Sequence, residues 1–175
     1  MIENLVRVAP VPGGRQRPYA GWPELEQRLG CGLPSDYKAL IETYGPGIFG
    51  GFIHVFQPTF PVPAIDLEAQ IADSAWALGE LQKGGERIPY RLTAPAEIIA
   101  IGRTDNGDIL YLVRNSLSEP DAWTIAVNEA RSDEWNEFEG GITDFLASAL
   151  SGSRQYSVFP ASFPMDVAPF EPYGA

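Results

Sequence analysis

A chain of 175 residues with 45% hydrophobic content is the length of one domain and can bury about 70% of its unfolded surface in a single core. Its formal net charge of −11 repels nucleic acid and anionic lipid, while one cysteine (Cys31) and one histidine (His54) leave no internal disulfide and no four-ligand zinc site. No apolar run approaches a membrane span, and the start "MIENLVRVAPVPGG" lacks the layout of a secretory leader, so a cytoplasmic protein without membrane contact or cofactor is expected.

Residues 1–19 hold three prolines and a Gly-Gly pair and are expected to form an extended arm ahead of a domain over residues 20–152. "GWPELEQRLG" then predicts a short helix that starts at Pro23, keeps Trp22, Leu25 and Leu29 on one side, and stops at Gly30. In "LPSDYKALIETYG", the spacing of Leu33, Tyr37, Leu40, Ile41 and Tyr44 fits a second helix. Pro34 suits its first position, Asp36 its positive end and Gly45 its stop.

The next stretch, "GPGIFGGFIHVFQP", contains Gly45, Gly47 and Gly50 in the order G-x-G-x-x-G. A dinucleotide site needs a strand before such glycines and a helix after them, so that the helix N-terminus meets the pyrophosphate. Here the order is reversed. The glycines read instead as a helix-to-strand corner, and His54 as a sheet residue. "AIDLEAQIADSAWALGELQ" predicts a longer helix with Leu67, Ile71, Ala75 and Leu78 inward, ended by Gly84 and Gly85. "EIIAIG" and "DILYLV" flank "RTDNG", where Asn106 and Gly107 mark a hairpin. "AWTIAV" and "EWNEF" add strands, and "GGITDFLASALSG" a last helix with Ile142, Phe145, Leu146 and Leu150 inward. The tail, residues 153–175, mixes four prolines with five aromatics and is expected to lie extended on the domain, because proline bars a helix and aromatics do not suit a solvated linker. The fold class is α+β: one domain with a mostly antiparallel sheet and N-terminal, middle and C-terminal helices.

Between Trp22 and Gly152 the ordered set "LGCGLPSDYKALIETYGPGIFGGFIHVFQP", "IIAIGRTDNGDILYLV", "PDAWTIAV" and "EWNEFEGGITDFLASAL" resembles the SUKH superfamily, shared by fungal cell-wall assembly regulators and bacterial immunity proteins. The residues that carry the resemblance are Trp22, Leu33, Pro34, Asp36, Tyr37, Tyr44, Gly45, Gly102, Asn106, Gly107, Asp108, Trp123 and Trp135. Their physical roles read as structural: Asp36 as a cap, Gly45 and Gly107 at unusual φ, and Trp22, Tyr37, Trp123 and Trp135 as core. The resemblance implies a protein that binds and neutralises a cognate polymorphic toxin, often a nuclease or deaminase. A regulatory scaffold with several weak partners stands as the alternative.

Between Thr104 and Asp144 ten acids face two bases, a segment charge of −8. Such a field steers a basic protein partner, and Asp105, Asp108, Glu119, Asp121, Asp133 and Glu134 are the candidate contact residues. Enzyme readings find less support. His54 stands beside no G-x-S-x-G elbow, and "RTDNGD" lacks the acids that a calcium loop needs two and four residues before Asp105. Carboxylate pairs such as Asp105 with Asp108 keep a hydrolase as a distant third reading. No catalytic, metal or cofactor residues are assigned.

Overall fold

The computed structural model describes residues 2–13, 18–114 and 119–173. Positions 14–17 of the N-terminal arm and the last two of the tail lie outside the described residues. Helix α1 spans Ile2–Val8, α2 Trp22–Leu29 and α3 Ser35–Tyr44. Strands β1 (Gly47–Phe49) and β2 (Ile53–Val55) follow, then α4 (Leu67–Lys83). The rest comprises β3 (Ile98–Thr104), β4 (Ile109–Val113), β5 (Thr124–Asn128), β6 (Trp135–Phe138), α5 (Ile142–Leu150) and β7 (Phe170–Pro172). The strands pair antiparallel in the order β6-β5-β4-β3-β2-β1-β7.

Side chains alternate across this sheet, as the period of 2 requires. Leu112, Ile125 and Phe138 lie in register on one face, where the Phe138 ring packs against Phe145 of α5. Ala100, Tyr111 and Ala126 share the other face, where Ser74 and Leu78 of α4 line a small cleft with Ala100 and Tyr111. A bulge between Ala100 and Gly102 adjusts the register of β3 before the β3–β4 turn. At Gly102 a side chain would meet the carbonyl of His54 at 2.7 Å.

Several expectations need correction. The N-terminal arm is not extended throughout: α1 buries Leu5, Ala9 just past its end is buried too, and Tyr44 donates a hydrogen bond to the Ala9 carbonyl at 2.7 Å. Pro10 and Pro12 simply follow the helix, where proline does no damage. The glycines after α3 open not a corner but a second hairpin. Gly50 and Gly51, with φ of 57° and 62°, turn β1 back onto β2, a pair of left-handed conformations that favours glycine. Pro34 is the N-cap of α3 rather than its first residue. In the β3–β4 hairpin only Gly107 has positive φ, at 93°, so Asn106 does not use the left-handed region expected of it. The core side of α4 carries Ser74 in place of Ala75, which is exposed.

The tail contributes Tyr156, Val158, Phe159 and Phe170 to the same core as the helices and strands. Phe170 packs on Tyr44 and Phe49, and β7 pairs with β1 through Gly47, Ile48 and Phe49. A side chain at Gly47 would meet the Glu171 carbonyl at 2.5 Å, so only glycine admits this strand so closely.

Candidate partner-binding surface

The six candidate acids do not form one patch. In an antiparallel meander, the β3–β4 and β5–β6 turns share one end of the sheet and the β4–β5 connection takes the other. Asp105, Asp108, Asp133 and Glu134 therefore lie at the first end, Glu119 and Asp121 at the second. The −8 segment is divided by the very strands that connect it.

Their accessibilities differ as sharply. Asp108 is 5% exposed. Its carboxylate accepts from the Thr104 hydroxyl at 2.6 Å and from the Ala130 N–H at 3.1 Å, stitching the β3–β4 turn to the β5–β6 turn. It is a structural residue, and its place among the contact residues is withdrawn. Asp121, in the 3-10 turn Pro120–Ala122, accepts from the Ser35 N–H at 2.6 Å and so satisfies an orphan donor at the start of α3. Glu119 is exposed beside that turn.

Asp105 receives the Nε2 of His54 at 2.7 Å, while the Tyr173 hydroxyl meets His54 Nδ1 and the two rings stack. Burial pushes the Tyr173 phenol up to about 12, helped by Asp105 and opposed by Arg103. The phenol therefore keeps its proton near neutrality. With hydrogen on Nε2, His54 donates to Asp105 and accepts from Tyr173, so the imidazole clasps the tail to the β3–β4 turn. His54 is thus the satisfied sheet residue that its strand position suggested.

At the β5–β6 turn the Glu129 carboxylate is held by Ser132 and Asn136, each at 3.0 Å. That leaves Asp133 and Glu134 as the exposed carboxylates on its outer side. Near this end, Gln70, Asp73, Ala77 and Leu81 of α4 border a groove of about 230 Å³ with Ile109, Tyr111 and Asn128. Trp76 stands on the outer side of the same helix, 71% exposed. The sequence reading passed over this residue. Its phase was the available signal, since it lies five and nine residues from Ile71 and Leu67, off the inward stripe.

The resemblance-bearing residues hold the frame. Trp22, Leu33, Tyr37, Tyr44 and Trp123 are buried, and the Trp22 indole donates to Glu42 at 2.7 Å. Trp135 is only half-buried, packed on Tyr90 and Tyr111 on the face of the sheet that α4 covers. Asp36 caps a different helix from the one expected: its Oδ2 accepts from the Thr143 N–H at 3.1 Å, at the N-terminus of α5. A side chain at Gly141 would meet that oxygen at 2.1 Å, which explains the glycine.

The model of the SMI1 / KNR4 family (SUKH-1) matches residues 22–148, from the start of α2 into α5. The chain belongs to this SUKH-1 family. No curated protein and no solved structure matches it. At family level it is a binding protein of the immunity or cell-wall-regulator type, and SUKH-1 proteins are generally not enzymes. The β7 strand and the aromatic tail lie beyond the matched residues, and so does α1. No helix among the described residues is long and apolar enough to cross a membrane.

Proposed function

We propose that the chain is an immunity protein that neutralises a cognate protein toxin, of nuclease or deaminase type, by direct one-to-one binding in the cytoplasm. SUKH-1 membership supports the binding class. The observation that carries the reading to a basic partner is the end of the sheet where Asp133 and Glu134 stand exposed on a chain of net charge −11. Nucleases and deaminases act on polyanions and present basic surfaces, so this end complements the toxin's own substrate-binding charge.

The test is to capture the partner on the tagged chain, purify its toxin domain, and compare association with wild type and with Asp133→Lys/Glu134→Lys. The expected result is a tight equimolar complex whose association slows about tenfold at low salt in the variant and loses much of its salt dependence. Unchanged association kinetics would remove this end from the interface. Several substoichiometric partners in place of one toxin would replace the immunity reading with that of a regulatory scaffold.

A further inference from the structure

The acids at the turns tune encounter, but rim charges give little lasting affinity; that comes from a few buried apolar anchors, most often Trp, Tyr or Arg. The two turns at the acidic end carry no Trp or Tyr, and their one Arg, Arg131, stands exposed among the acids rather than in an apolar setting. Helix α4 does carry an anchor. Its core side, Leu67, Ile71, Ser74 and Leu78, faces the sheet, and at 3.6 residues per turn Trp76 points roughly 160° away from Ser74. Its indole is 71% exposed. A large flat side chain left this open does nothing for the core, whereas it can bury on the order of 200 Å² against a partner.

The flank between Trp76 and the sheet is equally specific. Asp73 and Glu80 lie along it, and it ends at Leu81, 43% exposed, on the groove closed opposite by Ile109 and Asn128. Asn128 is the last residue of β5, from which the turn carrying Asp133 and Glu134 departs, so the apolar flank is continuous with the acidic end. Asp73 now accepts a weak bond from Gln70 at 3.3 Å, and Glu80 holds Lys83 at 2.7 Å in an exposed pair. Both are local surface contacts that a partner's cation can replace at little cost.

Resting on the immunity reading above, we infer that this flank of α4 anchors the toxin: Trp76 enters an apolar pocket on a basic surface whose Lys or Arg side chains reach Asp73 and Glu80. Charge selects this occupant over a second copy of the chain. A second copy brings its own −11 against the same acids, while a basic partner neutralises them.

The probe is the purified toxin domain, titrated calorimetrically against wild type, Trp76→Ala, Trp76→Phe and the control Val62→Ala, which alters an exposed side chain (49%) ahead of α4. Trp76→Ala should weaken binding about 30-fold, the scale of an interface anchor, with Trp76→Phe between it and wild type and Val62→Ala unchanged. Melting temperatures should stay at the wild-type value, because the indole packs on no core. Trp76→Ala within threefold of a tightly binding wild type would overturn the α4 placement and leave the immunity reading standing. A wild type that binds no toxin domain would overturn both. A wild-type dimer in sedimentation velocity that Trp76→Ala dissolves would overturn the inference in favour of a second copy.

Discussion

Asp36 and Asp121 each support a helix other than their own. Asp121 receives the Ser35 N–H at the start of α3, and Asp36 on α3 receives the Thr143 N–H at the start of α5. To the core that α3 and α5 share, Asp36 thus adds a polar tie: a carboxylate placed at a helix N-terminus, where the dipole favours it. Asp36→Ala should cost about 1 kcal/mol and lower the melting temperature by about 2–4 °C for a domain of this size; an unchanged melting curve would contradict the cap. Sequence spacing showed that Asp36 sits in the first turn of α3, but not that a helix more than a hundred residues later lies within its reach. Glu26 works in the same way on a loop. Burial alone would raise its carboxyl, but the Lys38 ammonium and the Leu33 N–H, at 2.7 Å, outweigh that and hold it below the ordinary 4.5. A lowered folded-state pKa adds stability above the unfolded value and loses it as pH falls through the folded one. Glu26→Gln should therefore melt below wild type at pH 7, and the difference should close as pH drops beneath 4.5. A gap that persists in acid would mean the charge is not what stabilises this contact.

Among the elements, those with a full period of apolar residues were legible, and those formed by tertiary contact were not. α3 and α5 carry enough turns to declare an inward stripe. α1, at seven residues, is too short to be stable alone and is helical because Leu5 is buried in the core. β1 and β2 have three residues each, less than one readable alternation, and the glycines around them suggested punctuation rather than a hairpin. On α4 the inward stripe runs through Ser74 rather than Ala75, and the Ser74 hydroxyl hydrogen-bonds the buried Tyr111 phenol, whose pKa is raised by burial. A serine with such a partner reads as polar in sequence and as core in the fold. The tail is tied down by Phe170 on Tyr44 and Phe49, by β7 on β1, and by Phe163 over Phe52 and Phe159. Phe170→Ala should cost about 3 kcal/mol as a fully enclosed aromatic is lost. It should also make the tail the first site of limited proteolysis. A tail as protease-resistant in the variant as in wild type would place its anchorage elsewhere.

At the scale of the whole molecule, the sequence made the acidity plain but gave no hint of its division. Ten acids in one segment look like a single face, yet alternate turns of a meander emerge at opposite ends, and Asp108, Glu129 and Asp121 are occupied in holding turns and a helix. What remains for a partner is a smaller acidic end bordering α4, with Trp76 and Leu81 beside it. Under the proposed immunity reading, this surface would supply a charged rim for encounter and an apolar flank for retention, the division of labour found in tight, specific complexes. The most direct measurement of that account is to follow the catalytic activity of the purified toxin domain as the chain is added. The account predicts a linear fall that reaches its floor at one equivalent, and a shallow incomplete curve with Trp76→Ala at the same concentrations. Toxin activity that persists at many equivalents of the folded wild-type chain would contradict it.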